Sequence, residues 1–266
     1  MKGALADSSP LAFLAIRFTI ATVALAPLVD LRSRWTSGEL RAGAVLAVLL
    51  ATGFACQVVG LQYTTPARSA FIVALSSILA PVFGLILLRH RAGWMVVVAL
   101  LIAGLGIYYL TAPDADGLNR GDLWTMITAV VFGGHIIAVA ELSKRYDAYR
   151  LVWLQIAGTA AGVSLAALAL EPIRVVWSAG LIAAILFTAF IATAVALVWQ
   201  MRAQREMSSA RASLLLCLEP VFAALASWLF WEEELSLTQG FGAALILAGM
   251  VLAVVGEART DEVPGL

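Results

Sequence analysis

The chain has 266 residues, 62% of them hydrophobic and 13% charged, with zero formal net charge and a mean hydropathy of +0.95. So apolar a composition cannot cover a water-facing globule, and the zero charge points to no nucleic acid and no acidic partner. The two cysteines, Cys56 and Cys217, lie inside apolar runs and read as small core residues, not as a disulfide framework or a metal site.

The chain divides into nine apolar stretches of about 20 residues, the length that crosses a roughly 30 Å hydrocarbon core. Residues 1–9 are a polar lead-in, and because it is short and the apolar stretch after it is too long for an h-region, no cleavable signal peptide is expected. The first span, 10–31, is interrupted by Arg17, and an arginine-bearing loop, 30–41, follows it. The second span is 42–61. After a short turn at 63–66 come the third, 67–88, a hairpin at Arg89-His90-Arg91, and the fourth, 93–112. A turn-rich linker, 113–122, marks the middle of the chain. The later spans are 123–141, 151–170, 180–201, 208–231 and 235–256, and a charged tail, 257–266, is expected to be disordered. No stretch alternates with period two, so a barrel is unsupported.

Counting alternate sides, twelve lysines and arginines fall on one side and four (Lys2, Arg68, Arg120 and Arg174) on the other, with Arg17 inside a span. The positive side is cytoplasmic, which puts the N-terminus outside and the C-terminus inside. An offset of 143 residues lays Ala51 on Ala194, Gln57 on Gln200, Ala67-Arg68 on Ala210-Arg211 and Leu75 on Leu218. Two extra residues in the later hairpin then bring Ala103-Gly104 onto Ala248-Gly249, and an offset of about 140 relates the first span to the sixth. On the charge count the related helices run in opposite directions. That is an inverted repeat, with a substrate site expected near the bilayer midplane.

The run from Ala210 through Leu-Glu-Pro at 218–220, the glutamates at 232–234 and Leu-Ala-Gly at 247–249 resembles the second repeat of EamA-like transporters of the drug/metabolite transporter superfamily. The resemblance implies ten helices, five per half, with both termini cytoplasmic. Here the first half holds four, so the family's first helix is expected to be absent from this sequence, either because the sequence starts late or because this is a natural nine-span variant. The expected fold is an all-α membrane protein of nine helices in two inverted repeats, residues 1–112 and 123–256. The expected function is secondary active transport, exporting or exchanging a small polar metabolite that is amino-acid-like, nucleotide-related or drug-like, in the inner membrane. The alternatives are a channel, a non-transporting membrane subunit or an inactive truncated carrier.

Glu219 lies about 15 Å deep in the eighth span, and an acid there is functional by default. Pro220 leaves the carbonyl of Leu216 without its helical donor. Carboxylate and carbonyl together suit an amine or a proton. The alternative is a structural acid bonded to a neighbouring helix. In the first repeat the equivalents are Ser76 and Ser77, with Pro81 freeing the carbonyl of Ser77. Arg17, about 10 Å from the outer end of its helix, pairs with Glu219, binds a substrate carboxylate or snorkels outward. Gln57, Gln200, Gln155, Thr52, Thr159 and Thr193 are substrate ligands or interhelical hydrogen-bonding groups. His135 is a proton relay or a packed histidine. Gly240, Ala244 and Ala248 form a small-residue face for close packing within a protomer or in a homodimer. Trp94, Trp124, Trp177, Trp228 and Trp231 read as interfacial anchors. No nucleophile elbow, zinc-protease motif or phosphate loop points to an enzyme, and no cofactor is implied.

Overall fold

The computed structural model describes residues 7–64, 66–87, 94–111, 119–207, 212, 215–216, 218, 221–222 and 236–261. Among these, every regular element is a helix, and Ser8 and Val175 form an isolated antiparallel bridge. The helices are α1 (Pro10–Leu25), α2 (Ser37–Gly60), α3 (Pro66–Ala74), α4 (Ser76–Leu87), α5 (Trp94–Thr111), α6 (Arg120–Leu142), α7 (Ala148–Leu170), α8 (Ala179–Ala189), α9 (Ala196–Glu206) and α10 (Leu237–Asp261). Five segments are long and apolar enough to cross a bilayer: Pro10–Leu28, Ser37–Gly60, Arg120–Leu142, Ala148–Leu170 and Ala179–Glu206. Three shorter apolar helices fall where the third, fourth and ninth spans are expected. The expected eighth span, with Glu219, Pro220, Trp228 and Trp231, lies largely outside the described residues.

The buried core is mostly aliphatic and aromatic, as in a water-soluble protein, but it also takes in polar groups, and much of the outer surface is aliphatic too. On α7, Gln155 and Thr159 are fully buried while Leu165, Leu168 and Leu170 are about 70% exposed. On α6, Thr125, Thr128 and His135 are buried while Leu123, Ile127 and Val130 face outward. Polar groups hidden among helices whose outer surfaces are aliphatic mark a multi-pass membrane protein.

Caps move several expected boundaries. Thr36 Oγ1 accepts from Glu39 N at 3.1 Å and Glu39 Oε2 accepts from Thr36 N at 2.8 Å. This capping box starts α2 at Ser37, so the expected 30–41 loop is helical from there. Asn119 and Asp122 exchange backbone and side-chain bonds at 2.9 and 3.0 Å, so α6 starts inside the expected linker. Asp122 is fully buried and accepts from Thr64 Oγ1 at 2.7 Å. The tail, expected to be disordered, instead continues α10 to Asp261. The third span is broken: Leu75 separates α3 from α4, and the amides of Leu75 and Ile78 bond three residues back, to Ile72 O and Leu75 O.

The chain forms two compact units that do not follow its two halves. One comprises residues 1–62 and 138–206, the other 63–137 and 207–266. In the first unit α7 packs on α1 and α2. Around Gly43 and Gly158 the α2–α7 contact is so close that an added Cβ would lie 2.5 Å from Leu154 and 2.6 Å from Ala47. The helices α1 and α7 are antiparallel. Ala12 N, near the start of α1, donates to Glu171 Oε1 just after α7 at 2.9 Å, and Trp153 Nε1, early in α7, donates to Thr22 O late in α1 at 3.2 Å.

In the second unit α5 packs along α10. This pair is also antiparallel: Gly106, late in α5, abuts Gly242 and Ile246, and Gly249 abuts Ala99 and Ala103. The buried face of α10 is therefore Gly242, Ile246 and Gly249. The expected packing face, Gly240, Ala244 and Ala248, is exposed among the described residues.

Candidate functional site

In the first unit, Arg17 is 4% exposed. Its Nε donates to Thr193 Oγ1 at 2.7 Å and an Nη2 hydrogen to Ala192 O at 3.3 Å. The guanidinium lies over the rings of Phe54, at 4.9 Å, and Phe18, at 5.4 Å. It thus does not snorkel. Both acceptors lie in one six-residue π-helical turn, Phe190–Val195, between α8 and α9. Thr193 Oγ1 donates in turn to Thr188 O at 2.8 Å. Glu219, the expected partner of Arg17, lies outside the described residues.

The other candidates divide between the units. Gln155 is buried and engaged, and Gln57 and Gln200 are half-buried, all in the first unit. Thr159 Oγ1 bonds Ala47 O at 3.2 Å, an interhelical bond, whereas Thr52 is exposed. Ser76, Ser77 and His135 belong to the second unit and are buried, and His135 is engaged rather than free. Gly133 on α6 lets α4 approach so closely that a Cβ there would lie 3.3 Å from Ser76 O. Pro81 sits within α4. Ser76 and Ser77 follow the break at Leu75 directly. The same bonding recurs 143 residues on: Leu218 N bonds Leu215 O, and Phe222 N bonds Leu218 O, as Leu75 N bonds Ile72 O and Leu79 N bonds Leu75 O. Glu219, next in the chain after Leu218, lies outside the described residues.

Two clusters escaped the sequence reading. Asp122 is one. The other fastens the start of α2 to the start of α7. Arg150 pairs with Glu39 at 3.0 Å, lies 4.1 Å from the Trp35 ring and donates to Arg34 O at 3.0 Å. Only the Thr-x-x-Glu box at 36–39 announces it in the sequence. Among the described residues no group of histidine, cysteine or carboxylate side chains is arranged to hold a metal.

Apolar outer surfaces, polar groups buried among the helices and helices long enough to cross a bilayer define a multi-pass helical membrane protein. The EamA-like transporter family matches residues 1–112 and 119–255, and the chain belongs to that family. Among its relatives is an uncharacterized transporter of Archaeoglobus fulgidus, 30% identical over 253 residues, 95% of this chain and 79% of the relative. The uncharacterized transporter YyaM of Bacillus subtilis is 24% identical over 270 residues, covering 92% of this chain and 84% of its own. A solved crystal structure shares the fold at a TM-score of 0.82 and 18% identity, over 98% of this chain and 92% of that one.

Proposed function

We propose that the protein is a secondary active carrier that exports or exchanges a small polar metabolite by alternating access, with nine spans in two inverted repeats. The observation that best supports this is reciprocal docking in the first unit. The start of α1 is held by the loop after α7: Ser9 N bonds Arg174 O at 2.8 Å, and Ser178 Oγ bonds Asp7 at 2.6 Å. The start of α7 is held by the loop after α1, through Arg34 O and Trp35, and by Glu39 in the first turn of α2. Two repeat-related helices that exchange the same kind of contact, head to tail, are what an inverted duplication produces. The antiparallel pairing of α5 with α10, repeat-related by the Ala-Gly match, supports the same reading.

The polar residues that follow the two equivalent breaks, Ser76-Ser77 and Glu219, are the proposed substrate and proton groups. Freed backbone acceptors beside polar side chains in discontinuous helices suit that role. On this reading the protein lies in the inner membrane with its C-terminus cytoplasmic.

Comparing metabolites in the media of overexpressing and deleted cells identifies candidate substrates. Those are then tested for counterflow in proteoliposomes. Saturable counterflow is expected. Conductance without counterflow would make the protein a channel, and neither activity for any candidate would sink the reading.

A further inference from the structure

The six-residue turn Phe190–Val195 lies within the longest apolar span of the described residues, Ala179–Glu206. A π-turn holds one residue more than an α-helix and leaves the carbonyl ladder out of step. The chain records the extra residue. The N-caps Thr36 of α2 and Ser178 of α8 are 142 residues apart, as are Gly38 and Gly180. By Ala51 and Ala194, and on to Gln57 and Gln200, the spacing is 143. One residue has entered the second repeat between Gly180 and Ala194, a stretch that takes in most of the π-turn, while α2 runs as uninterrupted α-helix from Ser37 to Gly60.

The hydroxyl of Thr193 also marks the turn. Thr22, Thr125, Thr128 and Thr188 each donate to the carbonyl four residues back, as threonines in α-helices do. Thr193 donates five residues back, to Thr188 O. Its oxygen then accepts from Arg17 Nε, and the neighbouring Ala192 O takes a second bond from the same guanidinium. The repeat offset of about 140 sets an alanine, Ala157, opposite Arg17. The inserted residue and the arginine that reads it therefore occur together, in one repeat-related pair and not in the other.

We infer that Arg17 is a positioning residue: its fork holds the Phe190–Val195 π-turn open and so fixes the rotational register of α9, which carries Gln200, against α8. The inference deepens the carrier reading and rests on it, because a register that can be held can be released during transport. Losing the extra residue from the turn would rotate α9 by about 100° relative to α8, one residue's worth of helix. Arg17 does this without an ion pair among the described residues, using a hydroxyl, a carbonyl and two aromatic faces to replace water around a buried charge.

The test is hydrogen–deuterium exchange of the full chain in lipid nanodiscs, read on amides 188–197. Thr193→Val should speed exchange there by about tenfold, the effect of losing one charge-assisted bond, and Arg17→Gln, which also loses the bond to Ala192 O, by at least as much. The double variant should be no faster than Arg17→Gln alone, and Thr193→Ser should keep the original rate. Removing Ile191 from the Arg17→Gln protein should restore slow exchange, because a straight α-helix needs no fork. Unchanged exchange in Arg17→Gln, effects that multiply in the double variant, or equal acceleration in every helix would each overturn the inference. The measurement uses no substrate, so its failure is separate from failure of the counterflow experiment.

Discussion

Gly106→Ala tests the packing of α5 on α10. A Cβ at Gly106 would lie 2.7 Å from Gly242 O and 2.8 Å from both Ile246 N and Ile246 Cγ1. Ordinary contact begins at 3.4 Å, so the helices must separate by about 0.7 Å, and two of the three obstacles are backbone atoms that cannot turn aside. Overpacking of this kind costs about 1–3 kcal/mol. Replacing a helical glycine by alanine returns about 1 kcal/mol of propensity. The net expectation is a loss of about 1 kcal/mol, close to a fivefold fall in the folded ratio. Gly240→Ala is the control on the same helix pair. Nothing lies within 4 Å of its Cβ, so only the propensity gain remains. Unfolding of the purified protein in mixed dodecylmaltoside–SDS micelles should place Gly106→Ala below the parent and Gly240→Ala at or above it. A Gly106→Ala protein as resistant to SDS as the parent would show that α5 and α10 do not pack at this distance.

Arg150→Ala should cost about 2 kcal/mol in the same titration, since it removes a part-buried ion pair, a ring contact and a bond to Arg34 O together. Arg150→Lys should recover only part of that, because an ammonium cannot fork. Thr36→Ala and Ser178→Ala should each cost about 1 kcal/mol, measured the same way, as lost N-caps. In proteoliposomes holding a substrate found by the metabolite screen, Glu219→Gln should abolish gradient-driven uptake while the protein stays folded. Undiminished pH-dependent uptake would remove Glu219 from the mechanism.

The fold class was legible because the length of an apolar run is itself a physical constraint in a bilayer: five of the expected spans are helices within a few residues of their expected limits. Their ends were less legible. The capping box at Thr36 and Glu39 is a local signal and was there to be used. The burial of Asp122 was not, because its partner Thr64 is 58 residues away. The small-residue face of α10 does not face α5, for a different reason. Gly240, Ala244 and Ala248 keep a perfect four-residue spacing, yet Gly242 and Gly249 on another face also suit close approach, and only the neighbouring helix selects between them.

The candidate site divides along the same line. Arg17 stands out in any reading, because a guanidinium in an apolar run demands an explanation. Thr193 stands out only as one polar group among several in the spans, and nothing in Ile191, Ala192 and Thr193 marks them as the partner of Arg17. The clue is relational: the repeat spacing grows from 142 to 143 across one span, and a helix that gains one residue while keeping both ends in register must widen a turn. A widened turn leaves its carbonyls and hydroxyls short of partners. The buried cation that needs acceptors and the turn that has acceptors to offer therefore satisfy each other, across 176 residues of chain that no local signal spans.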